Sequence, residues 1–271
     1  MAKEANATVL QRVDVTPELM ILRIVPDGWT LPEFTPGQFG VLGLPGSHPR
    51  HEIADPEDPL PVPSGRLIRR AYSVASSSQE RQYVEFYISL VRSGALTPRL
   101  WTLQTGDHLW MGPKFSGMFT IDRVPAGLDV LLVATGTGLA PYMSMIRSEL
   151  LNHRERRIGV IHGARHSWDL GYRSELTTLD RLFPGFHYMP IISEPDQEPV
   201  PWGGMTGFIN ERWEEGAFAE ILGHRPTPED THVFLCGNPM MIEGMIEVLG
   251  REGFVEHTKT TPGQIHLERY W

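Results

Sequence analysis

The chain has 271 residues, enough for one large domain or two of ordinary size. Its 41% hydrophobic and 21% charged content is that of a globular protein and excludes a disordered chain. A formal net charge of −9 argues against nucleic acid as a partner, because polyanion binding needs a basic face. The charge is uneven: residues 1–125 hold 12 Lys/Arg against 13 Asp/Glu, and residues 126–271 hold 12 against 20. The single cysteine, Cys236, suits a reducing compartment and forbids an internal disulfide. Residues 1–10 carry no long apolar run, and no stretch is long enough to span a bilayer. The expectation is a cytoplasmic protein away from membranes, with a monomer favoured.

In chain order, the first half reads as β-rich. Thr8–Val15, Leu19–Val25 and Tyr83–Val91 carry β-branched and aromatic residues between turn signals. Gln38–Leu42 and Arg70–Ala75 are plausible short strands, and Thr97–Leu103 is a short helix. Many short strands of this kind predict a small antiparallel barrel. Residues 43–66 interrupt it with six prolines and read as a mobile surface loop. A neutral insertion is the favoured reading of that loop, with a partner-docking element as the alternative.

The second half alternates. Strands are predicted at Asp129–Ala134, Arg157–His162, His187–Ile192 and Thr231–Cys236. Helices are predicted at Tyr142–Asn152, Tyr172–Leu182, Asn210–Glu215 and Pro239–Glu252. Strand–helix alternation predicts a parallel sheet covered by helices. The pattern switches near Val124–Gly127, which sets domains at 1–125 and 126–271.

Three local signals carry chemistry. Thr135-Gly136-Thr137-Gly138-Leu139-Ala140-Pro141 follows an apolar strand and opens a helix, where backbone N–H groups can receive a phosphate. Arg70-Ala71-Tyr72-Ser73 combines a cation, an aromatic ring and a hydroxyl, suited to a diphosphate, a planar ring and a ring heteroatom. Cys236-Gly237-Asn238-Pro239 is a second strand-to-helix turn. The histidines show no metal-ligand spacing, so no metal is expected. Without a four-cysteine set the chain holds no cysteine-ligated iron–sulfur cluster of its own, so electrons must leave to a separate acceptor.

Together and in this order, the three motifs resemble those of the ferredoxin/flavodoxin–NAD(P) reductase family of FAD enzymes. RAYS is similar to its R-x-Y-S flavin motif, GTGLAP to its pyrophosphate loop and CGNPMM to its C-G-x-x-x-M turn. The tail Glu268-Arg269-Tyr270-Trp271 is similar to its E-x-aromatic end, with the extra terminal Trp of one bacterial group. The resemblance spans roughly residues 8–271 and leaves 43–66 largely unmatched.

It implies an FAD-binding barrel followed by an NAD(P)-binding α/β domain. Arg70 would hold FAD phosphates, Tyr72 would stack on one flavin face, and Ser73 would bond near the reactive ring nitrogen, with Ala71 between them. Gly94-Ala95-Leu96-Thr97 would open a helix under the pyrophosphate. Thr137 would lie near the flavin, and Thr135, Gly136, Gly138 and Pro141 at the dinucleotide with Gly237. Cys236 and Glu268 would flank the nicotinamide, Tyr270 would cover the other flavin face, and Trp271 would stack on the adenine of FAD.

The implied activity is hydride exchange between NAD(P)H and FAD, with single electrons passed to or from ferredoxin or flavodoxin. A reductase component of a multicomponent oxygenase and a flavin-binding regulator without turnover are the alternatives. One departure matters. Two family arginines that clamp an NADP 2′-phosphate fall on Glu194 and Phe208, while Arg165 matches a third. A carboxylate repels a phosphate but can bond a free 2′-OH. The departure predicts weakened NADP preference, with NADH used comparably or better.

Overall fold

The computed structural model describes residues 5–57, 66–150 and 156–269. Its contacts divide the chain into two units: Met1–Thr120 with Ala140–Ser148, and Ile121–Leu139 with Glu149–Trp271.

The first unit is built on six antiparallel strands: β1 (Ala7–Thr16), β2 (Leu19–Pro26), β3 (Phe39–Pro45), β4 (Leu67–Ser73), β5 (Val84–Ser89) and β6 (His108–Met111). They pair in the order β4-β3-β6-β1-β2-β5. Register shifts at Val9/Gln11 and Asp14/Thr16 bend β1, as an unpaired residue does in an antiparallel pair. The outer strands meet where Val74 bridges Phe86 and the Ala75 N–H donates to the Glu85 carbonyl at 2.8 Å. That contact closes the sheet into a barrel. Met20, Leu22, Ile24, Leu42, Phe86 and Trp101 fill it. Each such side chain removed from water contributes about 1.5–3 kcal/mol. A short helix, α1 (Thr97–Leu100), runs beside the barrel, and the Trp101 indole donates to the Pro17 carbonyl at 2.9 Å.

Strand β3 extends to Pro45, three residues into the segment read as loop. The described part of that segment is also tied down, against the expectation of a mobile insertion. The His51 N–H donates to the Pro98 carbonyl in α1 and the Arg50 guanidinium to the Gly94 carbonyl in the turn before it. Residues 58–65 lie outside the described residues.

Helix α2 (Ala140–Glu149) belongs to the first unit through residue 148. Its Arg147 donates to Glu85 at 2.7 Å and to the Ala75 carbonyl at 2.8 Å. Glu85 is fully buried and takes a second ion pair from Arg23 at 2.6 Å. A buried carboxylate is tolerable only when paired in this way.

The second unit is a six-stranded parallel sheet with the order β10-β9-β8-β7-β11-β12. Its strands are β7 (Asp129–Thr135), β8 (Ile158–Ala164), β9 (Phe186–Ile192), β10 (Met205–Thr206), β11 (Thr231–Cys236) and β12 (Ile265–Glu268). Its helices are α3 (Arg173–Leu182), α4 (Ile209–Glu214), α5 (Ala217–Leu222) and α6 (Pro239–Arg251). The central strands are buried along nearly their whole length, as a sheet covered on both faces requires. Val133, Ile161, Ile191, Val233, Ile242 and Met245 pack into one core. No helix among the described residues is long and apolar enough to cross a membrane.

Two testable expectations follow from the burial of charge and imidazole. Glu85→Ala strands two arginines that keep some solvent contact, so it should cost about 2–3 kcal/mol, below the full penalty of a broken buried pair. Urea unfolding measures this. In the second unit, burial pushes the pKa of His162 and of His266 down to about 3. Both stay neutral in the fold, while the unfolded chain takes up protons below about pH 6.5. Stability is therefore full above that value and lost progressively as pH falls towards 3. Tm should drop between pH 7.5 and pH 5, and His266→Phe should flatten the decline.

Candidate functional site

The predicted site residues that the structure describes are divided between the two units. On the barrel, Arg70 and Tyr72 sit two apart on β4 and so share a face. Arg70 is exposed, and its guanidinium bonds only the Arg69 carbonyl among the described residues, at 2.8 Å. Tyr72 is half-buried and packs edge-on to Phe86 at 6.5 Å. Burial pushes its phenol pKa upward, with Arg70 opposing weakly, so the ring is neutral and suited to stacking. Ala71 is exposed and Ser73 buried.

The Gly94–Thr97 segment lies elsewhere on the same unit. Leu96 is buried in the core and can offer a ligand only its backbone. The Thr97 hydroxyl accepts from the Val91 N–H and donates to the Val91 carbonyl, both at 3.1 Å. Ala95 and Thr97 therefore also present backbone groups first. An exposed cation, a neutral half-buried ring and a backbone segment held by bonds to its neighbours are groups suited to FAD, and the residues fit it.

In the second unit the strand order reverses between β7 and β11. Ligands of open α/β sheets bind at such a reversal, beyond the carboxyl ends of the strands. Both Gly-bearing turns lie there. Gly136 adopts φ +53°, which favours glycine, and a tight helical turn over Gly136–Leu139 leads into α2. A Cβ on Gly138 would fall 2.2 Å from the Cys236 carbonyl oxygen. A Cβ on Gly237, at φ +134°, would fall 2.3 Å from Thr135 Oγ1. The turns interlock, and the Asn238 N–H donates to Thr135 Oγ1 at 2.7 Å. Asn238 then caps α6 by accepting from the Met240 N–H at 2.8 Å, with Pro239 at the first turn. Thr137 is half-buried and Pro141 buried in α2.

Cys236 and Glu268 are partners in the β11–β12 register. The buried thiol donates to Glu268 Oε2 at 3.9 Å. The structure thus brings together two residues that the sequence separates by 32 positions. Tyr270 and Trp271 lie outside the described residues.

Glu194 follows β9, and its N–H donates to the Arg165 carbonyl beyond β8 at 2.9 Å. Its carboxylate accepts from Gln197 at 2.6 Å and lies 3.5 Å from His166 Nε2. His166 stacks on Trp168 at 4.3 Å and approaches Asp169 at 3.1 Å. Burial works against its charged form. Hydrogen bonds to Asp169 and Gln197, and the charges of Asp169 and Glu194, nevertheless hold its pKa above the ordinary imidazole value. Arg165 is exposed, and Phe208 is exposed at the start of α4. His166 and Gln197 were missed from sequence. Their only signal is proximity to Arg165 and Glu194 in the chain. Among the described residues no group of three side chains is arranged to hold a metal.

The family model described as the oxidoreductase NAD-binding domain matches residues 132–247. The flavodoxin/ferredoxin–NADP reductase of Escherichia coli is 30% identical over 240 residues, 88% of each chain. The ferredoxin–NADP reductase of Azotobacter vinelandii is 30% identical over 87% of this chain and 86% of its own. A solved ferredoxin NADP+ reductase from Neisseria gonorrhoeae, with bound FAD and NADP, superposes with a TM-score of 0.79 at 26% identity, covering 99% of this chain and 100% of its own. Fold, turns and relatives agree: the chain belongs to the flavodoxin/ferredoxin–NADP reductase family of oxidoreductases.

Proposed function

We propose that residues 1–125 bind FAD, that residues 126–271 bind NAD(P)H, and that the chain passes electrons between the nucleotide and a ferredoxin or flavodoxin. The observation that carries this reading is the interlocked pair of turns at the sheet reversal, with Cys236 and Glu268 on the adjoining strand ends. When bound, FAD supplies the exchange between two-electron and one-electron chemistry. The protein's share is placement.

Arg70 neutralises a phosphate, Tyr72 offers a stacking face, Ser73 a hydroxyl, and residues 94–97 their backbone. Thr135 and Gly136–Gly138 receive the dinucleotide pyrophosphate beside Gly237. The Cys236–Glu268 pair orients the nicotinamide amide, a group that both donates and accepts. A reductase component of an oxygenase system would share all of these parts, and assays with candidate acceptors separate the two roles.

Nucleotide choice rests on Glu194. Its carboxylate accepts from Gln197, and the resemblance puts this residue at the position of a family arginine that clamps the 2′-phosphate. We expect NADH to be used at least comparably with NADPH. Steady-state kcat/KM for both nucleotides measures this, and a hundredfold advantage for NADPH contradicts it. Glu194→Arg should raise kcat/KM for NADPH by about tenfold, the ratio that roughly 1.4 kcal/mol supplies. Tyr72 gives a second test. Tyr72→Ala should weaken FAD retention about three- to tenfold, the scale of one lost aromatic stack, while Tyr72→Phe keeps it. Flavin titration of the stripped protein reads both, and an unaltered Tyr72→Ala affinity removes Tyr72 from the flavin site.

A further inference from the structure

The segment that matches no family motif is fastened to the rest of its unit by several bonds, among them His51 N–H to the Pro98 carbonyl and His48 Nε2 to Thr102 Oγ1, and most densely around Arg50. Arg50 reaches across it with a side chain only 15% exposed. One terminal nitrogen donates to the Gly94 carbonyl at 2.8 Å, and the other donates to Asp55 and Arg92 at 2.9 and 3.0 Å. Glu57 closes the arrangement. It accepts from Arg99 at 2.7 and 3.2 Å and lies 3.4 Å from Arg50. Arg99, 6% exposed, also donates to the carbonyls of Ala95 at 2.6 Å and Gly46 at 2.7 Å. The hydrogen bond from Arg99 holds the Glu57 carboxyl below its usual pKa, so the charge persists at neutral pH.

Three of the five carbonyls so bound belong to Arg92, Gly94 and Ala95, the stretch that leads into Leu96 and Thr97. The Asp55 N–H also donates to the Arg92 carbonyl at 3.2 Å, and the Arg92 side chain pairs with Glu18, so among the described residues Arg50 and Arg99 supply the side-chain grip on the Gly94 and Ala95 carbonyls. On its inner side the turn is fixed by the Gly94 N–H donating to Val91 at 2.8 Å and by buried Leu96. Two arginines bridged by one carboxylate thus grip the backbone from outside, and two of the three groups come from the Pro-rich insertion. A guanidinium suits this task because its planar fork presents several donors in fixed directions.

We propose that Arg50 and Glu57 are positioning residues for FAD: they hold the Gly94–Thr97 backbone in the one conformation that receives the cofactor. The proposal rests on the FAD-binding role assigned to that segment above. Without the grip, the segment samples other conformers, and apparent affinity falls in proportion to the competent fraction. The insertion is then a buttress of the flavin site.

The test strips flavin from the purified full-length protein and titrates FAD back, alongside Tm of the flavin-free form. For Arg50→Ala we expect FAD affinity to fall at least tenfold, with partial recovery in Arg50→Lys, which keeps the charge but not the fork. Flavin-free Tm should move by only a few degrees. A lowered Tm with unchanged FAD affinity would mean that Arg50 serves stability alone, and overturns the proposal. So does an affinity equal to wild type in every variant. Should Arg50→Ala fail to fold, Glu57→Gln decides, with a threefold or larger loss expected and no loss overturning the idea. A wild-type protein that takes up no FAD refutes the proposed function itself, before any variant is compared.

Discussion

The second unit depends on a close fit between two backbone turns. Gly138 must come within van der Waals range of the Cys236 carbonyl, and Gly237 within range of Thr135. Any side chain at either position would push the ends of β7 and β11 apart. Those strand ends flank the reversal in strand order, the place where an open α/β sheet offers a crevice. The glycines thus let the two turns interlock, the Thr135 hydroxyl locks them, and Asn238 begins α6 from the locked position. The adjoining strand then sets Cys236 opposite Glu268. Site geometry here is a consequence of backbone proximity more than of side-chain choice.

The first unit solves a different problem. Its strands bury a single core. Arg70 stays solvent-facing while Tyr72, on the same strand face, leans on Phe86. Two carboxylates of this unit are matched on both sides: buried Glu85 between Arg23 and Arg147, and half-buried Glu57 between Arg99 and Arg50. Each carboxylate ties a peripheral segment to the barrel, helix α2 in one case and the Pro-rich insertion in the other. A desolvated charge such as Glu85 fixes geometry because the unpaired alternative is costly.

Much of this was legible in the sequence. The apolar runs of β7, β8, β9 and β11 mark those strands within two residues, and α3, α4 and α6 follow within one; α2 starts at Ala140 and ends at Glu149, and residues 151–152 of its expected span lie outside the described residues. The barrel strands β1, β2 and β5 showed through their β-branched content. Four elements did not show. β6 and β10 are too short to display alternation, β12 was read only as a tail, and α5 is a six-residue helix next to α4. The RAYS and Gly-rich motifs were readable because local chemistry defines them. The grip of Arg50 and Glu57 was not, because it joins residues about forty apart by contacts to backbone carbonyls, which leave no side-chain pattern to read. The prolines of that segment suggested freedom, yet its described part is held by paired charge.

One measurement bears most directly on the central claim that these two units serve a flavin and a nicotinamide dinucleotide. An absorbance spectrum of the purified protein, followed by anaerobic addition of NADH, should show a yellow flavoprotein whose visible band bleaches on mixing. A colourless protein that takes up no FAD when offered it, or a yellow one that neither NADH nor NADPH reduces, would contradict the account.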